Sequence, residues 1–261
     1  MATVLSDDEV ETFVRDGFVR LPAAFDSELA ARCVDVFWMM LGLDRDDPTT
    51  WTEPVTRIPG CGHPDVLAAI GAPRLMGAID DLLGGREMWH QRTRGYGTFP
   101  VRFPSEVDPG DTGWHIDGSF GDPPWYRVNL VSRGRALLLL MLFSDVTEAD
   151  APTRITVGSH HDVARALAHV PDEGISFFPT EHAPAAIDRP IALATGTAGD
   201  VYLCHPFLVH AAGWPHRGTT PRFIGQPCIH HPEGEWSGAF DLDAAPAAPV
   251  VRAIREALAD R

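Results

Sequence analysis

The sequence predicts a mainly β fold with flanking helices, in which helices come first and a sandwich or barrel of antiparallel sheets follows. Three observations carry this. Amphipathic, capped segments crowd residues 1–85; short β-prone runs separated by Gly, Pro and Asp clusters fill 86–231; and an amphipathic stretch at 244–260 reads as a closing helix. A chain of 261 residues with 44% hydrophobic content is long enough for a sizeable core, and one domain over 1–261 is expected.

The opening "SDDEVETFVRDG" carries a capping box, Ser6 with Glu9 three residues later, and places Val10, Phe13 and Val14 on one helical face ending at Gly17. "FVRLPAAF" alternates like a strand. "DSELAARCVDVFWMMLGL" is an amphipathic helix capped by Asp26 or Ser27, and "HPDVLAAIG" and "APRLMGAIDDLLGG" are two shorter ones. Strands are expected in "REMWHQRTRGYGTFPVRF", "RALLLLMLFSDVT", "TRITVGSH", "IALATG", "GDVYLCHPFLVHAA" and "RFIGQPCIHH", with a helix near "HHDVARALA". "DAAPAAP" (Asp243 to Pro249) reads as a short linker before the last helix, "APVVRAIREALAD".

Composition removes several functions. All 21 basic residues are arginine, so Schiff-base chemistry, pyridoxal phosphate attachment and a Walker A loop lack their lysine, and any carboxylate clamp must be a guanidinium. A formal net charge of −15 disfavours nucleic acid and anionic membrane as partners and leaves a small-molecule substrate as the expectation. The four cysteines form no C-x-x-C and read as reduced thiols. No apolar run reaches membrane-spanning length, and "MATVLSDDEVETF" lacks the features of a signal peptide, so a cytoplasmic location is expected.

H-x-D occurs three times. His63 and Asp65 flank Pro64 at the start of a helical run, and His160-His161-Asp162 precedes another, where a helix-capping role suffices. "GWHIDG" differs, because no helical period follows it. On an extended segment His115 and Asp117 share one face while Trp114 and Ile116 share the other, so two metal ligands face one way and packing residues face the other. An imidazole and a carboxylate so placed suit the two-histidine, one-carboxylate arrangement of non-haem Fe(II), which requires a second histidine. His205, His210, His216, His230 and His231 are candidates. His210 is followed twelve residues later by Arg222 at the start of the next strand; if the two strands pair, Arg222 enters the same cavity as a bidentate fork for a carboxylate. Arg217, in the turn "WPHRGTT", is the alternative fork.

The order "GWHIDG", "DAPTRITVGSH", "HPFLVHAAGWP", "TTPRF" resembles the phytanoyl-CoA dioxygenase-like family of Fe(II)/2-oxoglutarate-dependent oxygenases, over roughly Arg86 to His231. The resemblance implies a double-stranded β-helix (jelly-roll, cupin-like) core. It implies His115, Asp117 and His210 as Fe(II) ligands, Arg222 as partner of the distal carboxylate of 2-oxoglutarate, and Thr153 as a hydroxyl near that cosubstrate. Ala212 stands where many members have a small hydroxyl residue. Three protein ligands leave positions for 2-oxoglutarate and O2. The activity implied is oxidation, in the first place hydroxylation, of a small metabolite with release of succinate and CO2, in a setting such as bacterial specialised metabolism. Asp117 disfavours halogenation, which in relatives accompanies a small residue there.

Substrate contacts are expected from Arg102, Trp125, Gln226 and His230, the last two on the face of Arg222 if that strand alternates. Two other readings are a cupin-like metal protein or isomerase that binds a carboxylated ligand without oxygen chemistry, and a β-barrel without metal.

Overall fold

A computed structural model of the chain describes residues 3–91, 97–117, 119–121, 126–232 and 238–259. Three of the four predicted N-terminal helices start on a side-chain cap. Helix α1 (Asp7–Asp16) has the Ser6/Glu9 capping box and stops at left-handed Gly17, and α2 (Ser27–Leu41) starts at Asp26, whose carboxylate accepts from the Glu28 and Leu29 amides. Strand β1 (Phe18–Leu21) lies between them. Helices α3 (Pro64–Ile70) and α4 (Pro73–Leu83) begin on prolines and bury one face each. At α3 it is the His63 Nδ1 that accepts from the Asp65 amide, so the histidine is the cap and Asp65 the first-turn acid.

The helical segment also contains a strand that its composition hides. Strand β2 (Val55–Pro59) pairs with β4 (Gly97–Arg102); it is short, half-exposed and bounded by prolines, which leaves little periodicity to read. The remaining strands are β3 (His90–Gln91), β5 (Leu137–Leu142), β6 (Arg154–Thr156), β7 (Ile191–Leu193), β8 (Val201–Cys204), β9 (His210–Ala211) and β10 (Arg222–His230). Helices α5 (Ser159–Leu167), α6 (Pro179–His182) and α7 (Pro184–Ile187) separate β6 from β7, and α8 (Pro249–Ala259) follows β10. Helix α5 departs from the expected capping. It opens on Gly158 with no side-chain cap, the Ser159 hydroxyl accepts from the Val209 amide, and Asp162 binds Arg165 and Arg189 instead.

The strands form two antiparallel sheets facing each other in a jelly roll. The larger runs β1-β8-β5-β10-β4-β2, with β3 also on β10, and the smaller runs β7-β6-β9. Strand β5 explains why "ALLLLMLF" shows no alternation: both its faces are covered. Leu138, Leu140 and Leu142 meet Ile155, Tyr202 and Leu208 between the sheets, while Leu137, Leu139 and Met141 join the core under the N-terminal helices. That helical core centres on Phe37, whose ring lies 5.1 Å from both Phe99 and Phe143 and 6.2 Å from Phe223. Among the described residues no helix is long and apolar enough to cross a membrane.

Strands β9 and β10 do not pair. Strand β9 belongs to the smaller sheet and β10 to the larger, so His210 and Arg222 approach one another across the gap between sheets rather than along a ladder.

His205 is fully buried behind this layer. Its Nδ1 accepts from the Phe207 amide at 3.1 Å and its Nε2 faces the Val250 carbonyl at 3.3 Å, and burial lowers its pKa to about 3. The imidazole is therefore neutral in the fold, whereas in the unfolded chain it takes a proton near pH ~6.5. Its stabilising contribution is complete above that value and is lost as pH falls toward the folded pKa. The melting temperature should fall between pH 7 and pH 4, and a His205→Gln variant should lose less over the same interval. Phe37→Ala should destabilise by about 3–5 kcal/mol in urea unfolding, as cavity-forming aromatic truncations do.

Candidate metal and cosubstrate site

Within the "GWHIDG" segment, the described stretch Trp114 to Asp117 alternates between two faces as an extended chain does. Ile116 is buried in the core beside α5 and α8, Trp114 packs under the Arg154 guanidinium at 4.6 Å, and His115 and Asp117 face the other way. A single antiparallel bridge joins it to β9. The His115 amide donates to the His210 carbonyl at 3.0 Å and the His210 amide returns to the His115 carbonyl at 2.9 Å.

That bridge brings the two imidazoles together at a tilt of 55°, with ring centroids 4.4 Å apart. Each ring is held by its own backbone: Nδ1 of His115 donates to the Gly113 carbonyl at 2.9 Å and Nδ1 of His210 to the Leu208 carbonyl at 3.1 Å. In both, Nε2 is left as the lone-pair donor. The His210 Nε2 is buried without a hydrogen-bond partner and lies 4.0 Å from Asp117 Oδ1. One donor atom from each of His115, Asp117 and His210 falls within 4.8 Å of the others, the one such cluster among the described residues.

Electrostatics suit a cation. Burial and the neighbouring His115 lower the His210 pKa to about 4, so its ring is neutral, the state a metal ligand needs. Burial pushes the Asp117 carboxyl up, but Arg135, His210 and His115 together outweigh it and hold the group below its ordinary value. Arg135 touches it directly, donating from Nη1 to Oδ2 at 3.1 Å, so that Oδ1 is the oxygen turned toward the histidines.

A cavity of about 140 Å³ adjoins the three residues. The larger sheet supplies Arg222, Ile224 and Gln226 from β10, Pro100 and Arg102 from β4, and Arg57 from β2; Thr153, Ala212 and Asp111 come from the opposite side. Its size is close to that of a ~150 Å³ cavity that holds benzene, enough for a compact ligand. Arg222 is only 2% exposed, donates from Nη1 to the Ala151 carbonyl, and keeps a buried Nε without a partner. Burial, then Arg102, lowers its pKa to about 9, which leaves it charged at neutral pH.

Of the sequence-predicted residues, the fold therefore gathers His115, Asp117, His210, Arg222, Thr153, Arg102 and Gln226 around one cavity. Arg102 is buried. The alternative fork Arg217 is exposed and pairs with Glu106. His230 does not share the cavity with Arg222: although on the same strand face, it lies beyond the cavity and donates from Nδ1 to the Gly134 carbonyl at 2.7 Å. His216 accepts from the Gly218 amide, and His231 faces the Ser132 carbonyl. Trp125 lies outside the described residues. Arg135, Asp111 and Arg57 are site residues that sequence reasoning missed. Asp111 stands four positions before His115, but nothing local indicates that Arg135, 18 residues after Asp117, meets it.

Residues 47–223 match the model of the phytanoyl-CoA dioxygenase family. The ectoine dioxygenase of Bordetella parapertussis is 27% identical over 186 residues, which cover 65% of this chain and 54% of that protein, so the chain spans about half the length of the curated relatives it matches. Two solved structures share the fold. The non-haem 2-oxoglutarate-dependent carbocyclase SnoK from nogalamycin biosynthesis has a TM-score of 0.66 at 17% identity, over 88% of this chain and 86% of that one. The epimerase SnoN from the same biosynthesis, solved with Fe3+ and 2-oxoglutarate, has 0.65 at 19% identity, over 93% and 92%. The family match spans the chain from ahead of β2 to the start of β10 and includes both residues of the His115–His210 bridge, and this chain belongs to the phytanoyl-CoA dioxygenase family of Fe(II)/2-oxoglutarate-dependent oxygenases.

Proposed function

We propose that this protein binds Fe(II) through His115, Asp117 and His210 and uses 2-oxoglutarate and O2 to oxidise a small metabolite, with hydroxylation as the reaction. The observation that carries the reading is the buried, unpartnered Nε2 of His210 facing Asp117 and His115, since a buried nitrogen acceptor without a donor is costly and a metal ion relieves it. Two neutral imidazoles and one carboxylate form the donor set of non-haem Fe(II) sites with open positions. Held there, Fe(II) would supply the oxidising chemistry, with O2 as the oxidant and 2-oxoglutarate converted to succinate and CO2.

The remaining work falls to the chain. The backbone bonds to Nδ1 of both histidines fix each ring's tautomer and aim Nε2 at the ion. Arg135 holds Asp117 ionised and takes its second oxygen, which favours one-oxygen ligation and keeps positions free for cosubstrate. Arg222 meets the distal carboxylate of 2-oxoglutarate with the donor it leaves unused in the fold, and Thr153 lines the same cavity. Gln226 and Arg102 stand where they meet cosubstrate or substrate. Asp117 occupies the position that a halide would need. Solved structures of this fold include a carbocyclase and an epimerase, so the reaction is argued from the site and not from the scaffold.

Anaerobic addition of Fe(II) and then 2-oxoglutarate to the apo-protein should produce a saturable visible charge-transfer band that needs both. Bound iron with no band would favour a cupin-like binder, and no bound iron would remove the metal reading. His115→Ala and His210→Ala should abolish stoichiometric iron binding. Arg222→Ala should weaken 2-oxoglutarate by about 2–5 kcal/mol in the same titration, because it strands a buried carboxylate. Arg135→Ala should lower iron affinity by about 10–100-fold, the usual effect of removing a ligand's supporting bond, and wild-type affinity in that variant would exclude the role given to it.

A further inference from the structure

Arg102 and Arg222 stand directly opposite each other in the register of β4 and β10. Like charges at that position repel, and sheet pairing alone does not reward them. Both are almost fully buried, at 3% and 2% exposure, both line the same cavity, and each keeps a buried Nε without a hydrogen-bond partner. A buried guanidinium with unused donors is destabilising, so two of them side by side make a place that an anion stabilises. On the rest of the lining Ala212 offers only a methyl group, and Thr153 and Gln226 are uncharged, so Arg102 is the charged donor beside Arg222.

One carboxylate of the chain already reaches this wall. Asp111 Oδ1 accepts from Arg102 Nη2 at 2.5 Å, and its Oδ2 accepts from Arg57 Nη2. Three guanidinium groups, Arg57, Arg102 and Arg222, thus share the cavity with Asp111 while Asp117 is engaged by Arg135. The segment carrying Asp111 is tied at both ends, by the Ser105–His216 and His115–His210 bridges, and at the Thr112 carbonyl by Arg154 Nη2 at 2.6 Å. Asp111 can therefore turn its side chain while its backbone stays in place.

We propose that Arg102 and Arg222 form a two-guanidinium site for the distal carboxylate of the oxo-acid cosubstrate, and that Asp111 is an internal counter-ion that yields Arg102 when this carboxylate arrives and keeps Arg57. This rests on the Fe(II)/2-oxoglutarate reading above. Asp111 neutralises the wall in the absence of ligand and competes with the incoming distal carboxylate for Arg102, so that an oxo acid must bring its own second carboxylate to replace what is lost.

The test is calorimetric titration of Fe(II)-loaded protein under argon with 2-oxoglutarate and with 2-oxopentanoate, which keeps the oxo-acid head and lacks the distal carboxylate. Asp111→Asn should bind 2-oxoglutarate about ten-fold more tightly, and Arg102→Gln about ten-fold more weakly, the scale of one charge-assisted hydrogen bond. Arg102→Lys should fall between Arg102→Gln and wild type. The double variant should match Arg102→Gln, because the counter-ion then has nothing to release. Binding of 2-oxopentanoate should change by less than about two-fold in each, since its chelating end meets neither residue. Weaker or unchanged 2-oxoglutarate binding in Asp111→Asn, or equal changes for the two acids, would overturn the proposal and leave Asp111–Arg102 a structural pair. Wild type that takes up no 2-oxoglutarate would instead overturn the functional reading itself. Arg222→Ala weakening the cosubstrate while Arg102→Gln does not would sink the two-arginine site alone.

Discussion

Two backbone hydrogen bonds between His115 and His210 hold the site together. They join residues 95 positions apart, connect the segment carrying His115 and Asp117 to the smaller sheet, and bring two imidazoles within 4.4 Å at a tilt of 55°. Everything else at the site depends on this contact. Asp117 reaches the histidines because it lies two residues beyond the bridge on the same face, and the cavity exists because the bridged segment stands across from β4 and β10. A jelly roll is well suited to support such a bridge. Strand β5 is covered on both faces, so the larger sheet is a rigid wall against which the shorter elements of the smaller sheet are positioned.

Charge is organised at the site against the trend of the whole molecule. The chain carries −15, yet the cavity wall gathers Arg57, Arg102 and Arg222 against Asp111, with Arg135 behind Asp117. Net charge governs long-range partners, whereas a ligand in a small buried cavity feels the guanidinium groups a few ångströms away, in a medium that screens them weakly. The absence of lysine sharpens this. Every cation at the site is a planar fork whose unused donors have fixed directions, so orphaned Nε atoms on Arg102 and Arg222 mark where an acceptor belongs.

The histidines separate into two groups by what their nitrogens do. His205, His230 and His231 are buried with ring nitrogens turned to backbone carbonyls, and His216 accepts from a backbone amide at Nδ1 while its buried Nε2, without a partner, lies outside the His115–Asp117–His210 cluster. His210 satisfies one nitrogen in the same way and leaves the other in a dry site beside a carboxylate. Sequence spacing alone does not distinguish these cases, because every candidate is a histidine in a β-rich segment.

The sequence by itself determined most elements and picked out the residues that gather at the candidate site. Capping residues, glycine stops and helical periodicity located α1 to α4 and α8, and the extended H-x-D with a later histidine and arginine named the cluster that the fold assembles. These signals are legible because they act over a few residues, through hydrogen bonds and side-chain alternation. Only the tertiary structure decided which strands face one another. It put β9 and β10 in different sheets, hid β2 in the helical half with Arg57 on it, turned His230 away from the cavity, and delivered Arg135 and Asp111 to the site. Those outcomes depend on sheet register and on which faces bury against which, and such long-range contacts leave no mark in the residues that flank them.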